Sequence, residues 1–148
     1  MAAKNSTILL VEDNPNDELL TLRALEKSRI KNEVIVVRDG AEAIDFLFAT
    51  GSFSDRDPHI LPNVVILDLK LPKVDGHEVL RKIRENPSTK FLPVVILTSS
   101  KEEQDLIKSY QEGANSYIVK SVDLDQFTNS IQGICLYWLV LNENVLNK

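Results

Sequence analysis

Five short apolar runs alternate with stretches of helical periodicity, and that alternation limits the folds open to this 148-residue chain. The runs are Ile8-Leu9-Leu10-Val11, Val34-Ile35-Val36-Val37, Val64-Val65-Ile66-Leu67, Val94-Val95-Ile96-Leu97 and Ser116-Tyr117-Ile118-Val119. Continuous and rich in β-branched residues, they suit strands buried on both faces. Between and after them, apolar residues recur at spacings of three and four. Leu19, Leu22 and Leu25 form one such set, Ala41, Ile44, Leu47 and Phe48 another, and Val79, Leu80 and Ile83 a third. Leu106, Ile107 and Tyr110 follow, then Phe127, Ile131, Ile134 and Trp138. Strand and helix in strict alternation require parallel pairing through right-handed crossovers. The expected fold is α/β: a doubly wound, five-stranded parallel sheet with helices on both faces.

Local signals mark the boundaries. Asn14-Pro15 suits an N-cap followed by the first helical position, with that helix ending near Arg29. Residues 50–62 have turn composition and no period, so they read as a long loop. The next helix spans about 75–86 and stops before Pro87, and another spans about 101–111 with Gly113 as its C′ residue. The last helix starts near Leu124 and is expected to be long.

Length and composition, with 43% hydrophobic and 26% charged residues, fit one soluble domain covering 1–148. A net charge of −5 argues against a surface for nucleic acid. Cys135 is the only cysteine, which removes intrachain disulfides and cysteine metal sites. No apolar stretch approaches the ~20 residues of a membrane span and no signal peptide is visible, so a cytoplasmic location without a membrane partner is expected.

Polar residues follow four of the five runs: Glu12 and Asp13, Asp68, Thr98, and Lys120. In open α/β sheets ligands bind at the carboxyl ends of the strands, so residues far apart in sequence can share one pocket. Each residue alone has an ordinary explanation as a cap, a turn former or a surface charge. Their joint placement points to chemistry. Three clustered carboxylates repel one another without a cation, and an all-oxygen donor set suits Mg²⁺ or Mn²⁺. Asp13 and Asp68 are the expected direct ligands, with Glu12 acting through water. Lys120 adds a positive charge and Thr98 a hydroxyl. Together they describe a phosphoryl-transfer site in which Asp68 becomes an aspartyl phosphate.

At these residues the chain resembles the receiver domain of bacterial two-component response regulators. The resemblance rests on V-E-D at 11–13, V-V-I-L-D at 64–68, L-P-x-x-D-G at 71–76, V-V-I-L-T at 94–98 and Y-I-V-K at 117–120. It implies a flavodoxin-like sheet of order 2-1-3-4-5, for which a chemotaxis regulator of this fold is the standing example. It further implies that Asp68 is phosphorylated by a sensor histidine kinase. Asp13, Asp68 and the Lys70 backbone carbonyl would hold the metal. Lys120 and Thr98 would bond the phosphoryl oxygens, and Tyr117 would be an aromatic switch that moves with Thr98. Lys70 and Ser100, each two residues beyond a pocket residue, would set the lifetime of the phosphorylated state; unchanged decay after Lys70→Ala and Ser100→Ala would contradict that role.

A narrower resemblance, to single-domain regulators that pair with bacterial phytochrome kinases, rests on the loop at 50–62, Lys120-Ser121, and residues 132–139 (QGICLYWL). It implies a phytochrome-type kinase partner. Receiver domains usually carry proline after the pocket lysine, in a cis bond; here Ser121 stands there. A non-proline cis bond costs ~3 kcal/mol, so this bond is either strained or trans.

Residues 134–141 are eight consecutive non-polar residues. Such a helix needs a second apolar partner, either this chain's own tail or another subunit; the preferred reading is a C₂ homodimer with Ile134, Tyr137, Trp138 and Leu141 at the interface. No output domain is expected after the receiver, so the signal would pass to an unidentified protein target through the fourth helix, fifth strand and fifth helix. The protein would then be a switch that autophosphorylates and slowly loses its phosphate, not a turnover enzyme. Two other functions fit less well. An aspartyl-phosphate hydrolase would place an acid at position 70, where Lys70 stands. A nucleotide or flavin site would need a phosphate-cradling loop where Glu12-Asp13-Asn14 stands. A receiver-like interaction module that takes no phosphate is the third alternative.

Overall fold

The structure, a computed structural model, describes residues 6–143; the expected outer bounds of the domain, 1 and 148, lie outside them. Strands β1 (Ser6–Val11), β2 (Asn32–Val37), β3 (Val64–Leu67), β4 (Val94–Thr98) and β5 (Ser116–Val119) form one sheet of order β2-β1-β3-β4-β5. Every neighbouring pair is parallel, with Leu10 opposite both Val36 and Ile66, and Ile66 opposite Val95. Helices α1 (Pro15–Lys27), α2 (Gly40–Phe48), α3 (Gly76–Glu85), α4 (Glu103–Gln111) and α5 (Leu124–Cys135) connect or follow the strands. The expected doubly wound fold and strand order are therefore present.

The uninterrupted apolar runs have a simple cause: side chains alternate across the sheet, and both faces are covered. Leu9, Val11, Val65, Leu67, Val94 and Ile96 face α2 and α3, packing with Phe46, Leu47, Leu80 and Ile83. Ile8, Leu10, Val64, Ile66, Val95 and Leu97 face α1 and α5, packing with Leu25, Phe127 and Ile131. All four residues of β3 and all five of β4 are buried. At ~25 cal/mol per Å² of apolar surface, each fully buried Leu or Ile contributes roughly 1.5–3 kcal/mol, so these central strands fix the register.

Capping sets where the helices begin. Asn14 Oδ1 accepts from the backbone N–H groups of Asn16 and Asp17, with Pro15 at the first helical position. Asp39, Asp75 and Asp123 cap α2, α3 and α5 in the same way. Helix α1 ends at Lys27, slightly before the expected Arg29, because Arg29 takes a left-handed φ of 60°.

Three other differences stand out. Residues 50–62 are less irregular than their composition suggests: a 3-10 helix spans Gly51–Phe53, and Phe53 meets the Phe46 ring edge-on at 5.2 Å. Arg56 lies over the same ring at 3.9 Å and donates to the Phe46 carbonyl. Helix α4 is shallow, burying only Ser109, while Leu106, Ile107 and Tyr110 are exposed. The C-terminal helix changes form, with α5 giving way to a π-helix over Leu136–Leu141. The wider turn lets Trp138 and Leu139 both pack on the core and leaves Leu136, Tyr137, Val140 and Leu141 exposed. Of the expected interface residues, Ile134 is 4% exposed and lies in this chain's own core, and Trp138 packs against that core.

Candidate functional site

Hydrogen bonds of the sheet continue one residue past the strands and fix the polar groups there. Glu12 N–H donates to Val37 O at 3.0 Å, Asp68 N–H to Val11 O at 3.1 Å, and Lys120 N–H to Thr98 O at 2.8 Å. The side chains that follow the strands therefore spring from backbone held by the sheet itself. A glycine allows the chain to turn away after Asp68. A Cβ on Gly76 would collide with the Asp68 carbonyl, and the Gly76 N–H donates to Leu69 O at 2.9 Å. The intervening loop is braced against α2. Gly40 packs so closely on the Val74 carbonyl that any side chain would clash, and Lys73 pairs with Asp39 at 3.5 Å.

Lys120 follows β5, yet it reaches over the ends of β4 and β3 to the first strand. Its Nζ donates to Glu12 Oε1 at 2.7 Å, Asp17 Oδ2 at 2.8 Å and Asp68 Oδ2 at 2.8 Å. Burial lowers the basicity of Lys120, but the hydrogen bonds to Asp17, Asp68 and Glu12 outweigh it and hold the ammonium above its ordinary range. Glu12 is the opposite case. Burial pushes it up to about 7, more strongly than Lys120 pulls it down, and the neighbouring Asp68 charge adds to the rise.

Glu12, Asp13 and Asp68 each offer an oxygen within 4.8 Å of the other two. Asp68 Oδ1 also accepts from Lys70 N–H at 3.2 Å, which orients the carboxylate. Two buried acids and one exposed one, all oxygen donors, fit a hard divalent cation such as Mg²⁺ or Mn²⁺. A cleft of about 420 Å³ opens here, with Asp13, Lys70, Pro72, Asp75, His77 and Asp105 among its walls.

Thr98 is fully buried at the end of β4, and its Oγ1 accepts from Ser100 N–H at 3.4 Å. The Ser100 hydroxyl turns to Asp105 Oδ2 at 2.6 Å, and its carbonyl accepts from Tyr117 Oη at 3.1 Å. Lys70 is exposed. No peptide bond among the described residues is cis, so Lys120–Ser121 is trans. Of the residues expected from the sequence, Glu12 and Asp68 meet Lys120 directly, and Asp13 lies within 4.8 Å of both acids. Ser100 and Tyr117 form a second group joined to α4.

Two groups were not anticipated. Asp17 completes the Lys120 contacts; its signal was the Asn14-Pro15 cap, which puts it in the first turn of α1. His77 lies between α3 and α4, with Nδ1 2.6 Å from Glu112 Oε1 and Nε2 3.4 Å from Asp105 Oδ1. Neither residue follows a strand directly, which is where the sequence directs attention.

Comparison with known proteins accords with this geometry. Residues 8–132 match the family described as response regulator receiver domain. The response regulator Rcp1 of Synechocystis sp. is 45% identical over 132 residues, spanning 89% of this chain and 88% of that protein. A structure of the Mn²⁺-bound form of Rcp1 superposes with a TM-score of 0.86 at 42% identity, covering 94% of this chain and 98% of the other. The phosphorylated cyanobacterial phytochrome response regulator RcpA gives a TM-score of 0.89 at 39% identity, covering 96% and 99%. The bacteriophytochrome response regulator AtBRR gives 0.76 at 53% identity, covering 95% and 100%. The chain belongs to the response regulator receiver domain family and is closely related to its phytochrome-associated members.

Proposed function

We propose that Asp68 accepts a phosphoryl group from a phosphohistidine of a sensor histidine kinase of the phytochrome type. The observation that carries this reading is the contact of Asp68 Oδ2 with Lys120 Nζ at 2.8 Å inside the three-acid cluster. One Asp68 oxygen bonds to phosphorus as the P–N bond of the donor breaks, and the electron pair leaves with the imidazole. Asp13, Asp68 and the Lys70 carbonyl would hold the divalent ion, and Glu12 would act through water. When bound, that ion supplies positive charge to the phosphoryl oxygens. Lys120 supplies a further charge, and Thr98 donates its hydroxyl to the modified group. Movement of Thr98 would strain the Ser100 N–H contact and so reach Tyr117, 3.1 Å from the Ser100 carbonyl.

The phytochrome assignment draws on the likeness to RcpA, a cyanobacterial phytochrome response regulator, and to AtBRR, a bacteriophytochrome response regulator. The protein acts as a switch with slow self-dephosphorylation, passing its signal to a protein target, and it pairs with a second copy through the exposed residues of its C-terminal helix. No helix among the described residues is long and apolar enough to cross a membrane. The direct test is phosphotransfer from a radiolabelled phytochrome-type histidine kinase. Label should move to the wild type and stay on the kinase when Asp68→Asn is offered; retention of label on the kinase with both proteins would contradict the assignment.

A further inference from the structure

Lys120 is saturated. An ammonium has three N–H donors, and here all three are used by Glu12, Asp17 and Asp68. If Lys120 is to bond an oxygen of a phosphoryl group on Asp68, one of those acceptors must let go. The three differ in what release would cost. The Glu12 side chain is 2% exposed and the Asp68 side chain 9%, whereas that of Asp17 is 32% exposed. A buried carboxylate stripped of its donor has no water to replace it, but Asp17 does.

Its place in α1 makes release easier still. Asp17 lies in the first turn, where the unpaired N–H groups of the helix favour a negative charge. Its own N–H is held by Asn14 Oδ1 at 3.1 Å, so the backbone does not depend on the ion pair. The Asn14 N–H in turn donates to Glu12 Oε2 at 3.2 Å, so one capping residue sets both acids beside Lys120.

We propose that Asp17 is a positioning residue for phosphoryl transfer: it holds Lys120 in the unphosphorylated protein and releases it to the phosphoryl group when Asp68 is modified. Pairing with Asp17 also cancels the lysine charge before the reaction. The negative field of Glu12, Asp13 and Asp68 is then left for the divalent cation. This role rests on Asp68 being the phosphoacceptor, as proposed above.

The test compares wild type with Asp17→Asn and Asp17→Glu in two measurements. One titrates Mg²⁺ alone into the protein by calorimetry; the other follows initial labelling by acetyl phosphate at saturating Mg²⁺. Asp17→Asn should weaken Mg²⁺ binding about three- to tenfold, because the lysine charge now opposes the cation. The same variant should label about two- to fivefold faster at saturation, because one Lys120 N–H is no longer held by a carboxylate and the donor is an anion. Asp17→Glu should move both values back towards wild type. A structural role alone would lower affinity and rate together, so weaker binding with slower labelling overturns the proposal, as does no change in either. Asp17→Ser, compatible with a first helical turn, makes the same measurements if the asparagine variant fails to fold. A wild type that takes no label overturns the phosphoacceptor reading itself, whatever the variants do.

Discussion

The hydroxyl of Tyr117 donates to the carbonyl oxygen of Ser100 at 3.1 Å, tying β5 to the loop that follows Thr98. Tyr117 is half-buried, packed against the α2–α3 side of the core, and burial holds its hydroxyl above the ordinary range despite the Ser100 bond. Tyr117→Phe removes the bond and keeps the ring. It should cost about 1 kcal/mol in urea unfolding. If the bond relays the state of Thr98, the variant should also reduce the amide shift changes in β5 on phosphorylation; undiminished changes would show that the relay lies elsewhere.

His77 is 8% exposed and bracketed by Asp105 of α4 and Glu112 at its C-cap. Asp105 also receives the Ser100 hydroxyl, and Glu112 receives Arg81 at 2.9 Å. Because α4 buries little else, this polar bracket sets its position. His77→Ala should destabilise the fold by about 1–3 kcal/mol through the two contacts with carboxylates that it removes. Amide exchange in α4 should quicken more than in α1 or α5; a uniform change would contradict the bracket.

Much of this was legible in the sequence because the physics was local or strongly patterned. The runs at 64–67 and 94–97 are apolar at every position since both faces are covered, and a charge directly after such a run has to emerge at the strand end. Asp17 was not legible: an acid in a first helical turn already has a dipole explanation, and its lysine lies 103 residues away. The same applies to His77, whose partners come from the shallow helix α4. Periodicity marked Leu106, Ile107 and Tyr110 as helical but could not tell that they would remain exposed. The π-helix over Leu136–Leu141 likewise leaves no mark in a run that is apolar throughout.

Glu12 gives the site a pH dependence. Its carboxyl rises from an ordinary 4.5 to about 7, chiefly through burial. Between those values the metal-free fold binds more protons than the unfolded chain, so this group's contribution to stability falls as pH rises through the window. Metal binding must displace that proton. Mg²⁺ affinity should therefore rise with pH up to about 7, by at most about tenfold per unit, and level off above it. Calorimetric titrations across that range should show the slope in wild type and its loss in Glu12→Gln. An equal slope in both would assign the proton elsewhere.

The exposed Leu136, Tyr137, Val140 and Leu141 form an apolar face at the C-terminal end of the described chain. A homodimer through that face should sediment as such at micromolar concentration. Leu141→Asp, or Tyr137→Asp, should shift the equilibrium towards monomer by tenfold or more, the effect of about 1.4 kcal/mol. A wild type that sediments as a monomer, phosphorylated or not, would remove the dimer.

Phosphorylation of Asp68 can be measured without a kinase. Wild type and Asp68→Asn are each incubated with acetyl phosphate and Mg²⁺, and covalent phosphate is measured by intact mass and by its lability to alkali. One alkali-labile phosphoryl group is expected on the wild type, none without the metal, and none on Asp68→Asn. An unlabelled wild type, or equal labelling of Asp68→Asn, would contradict Asp68 as the phosphoacceptor.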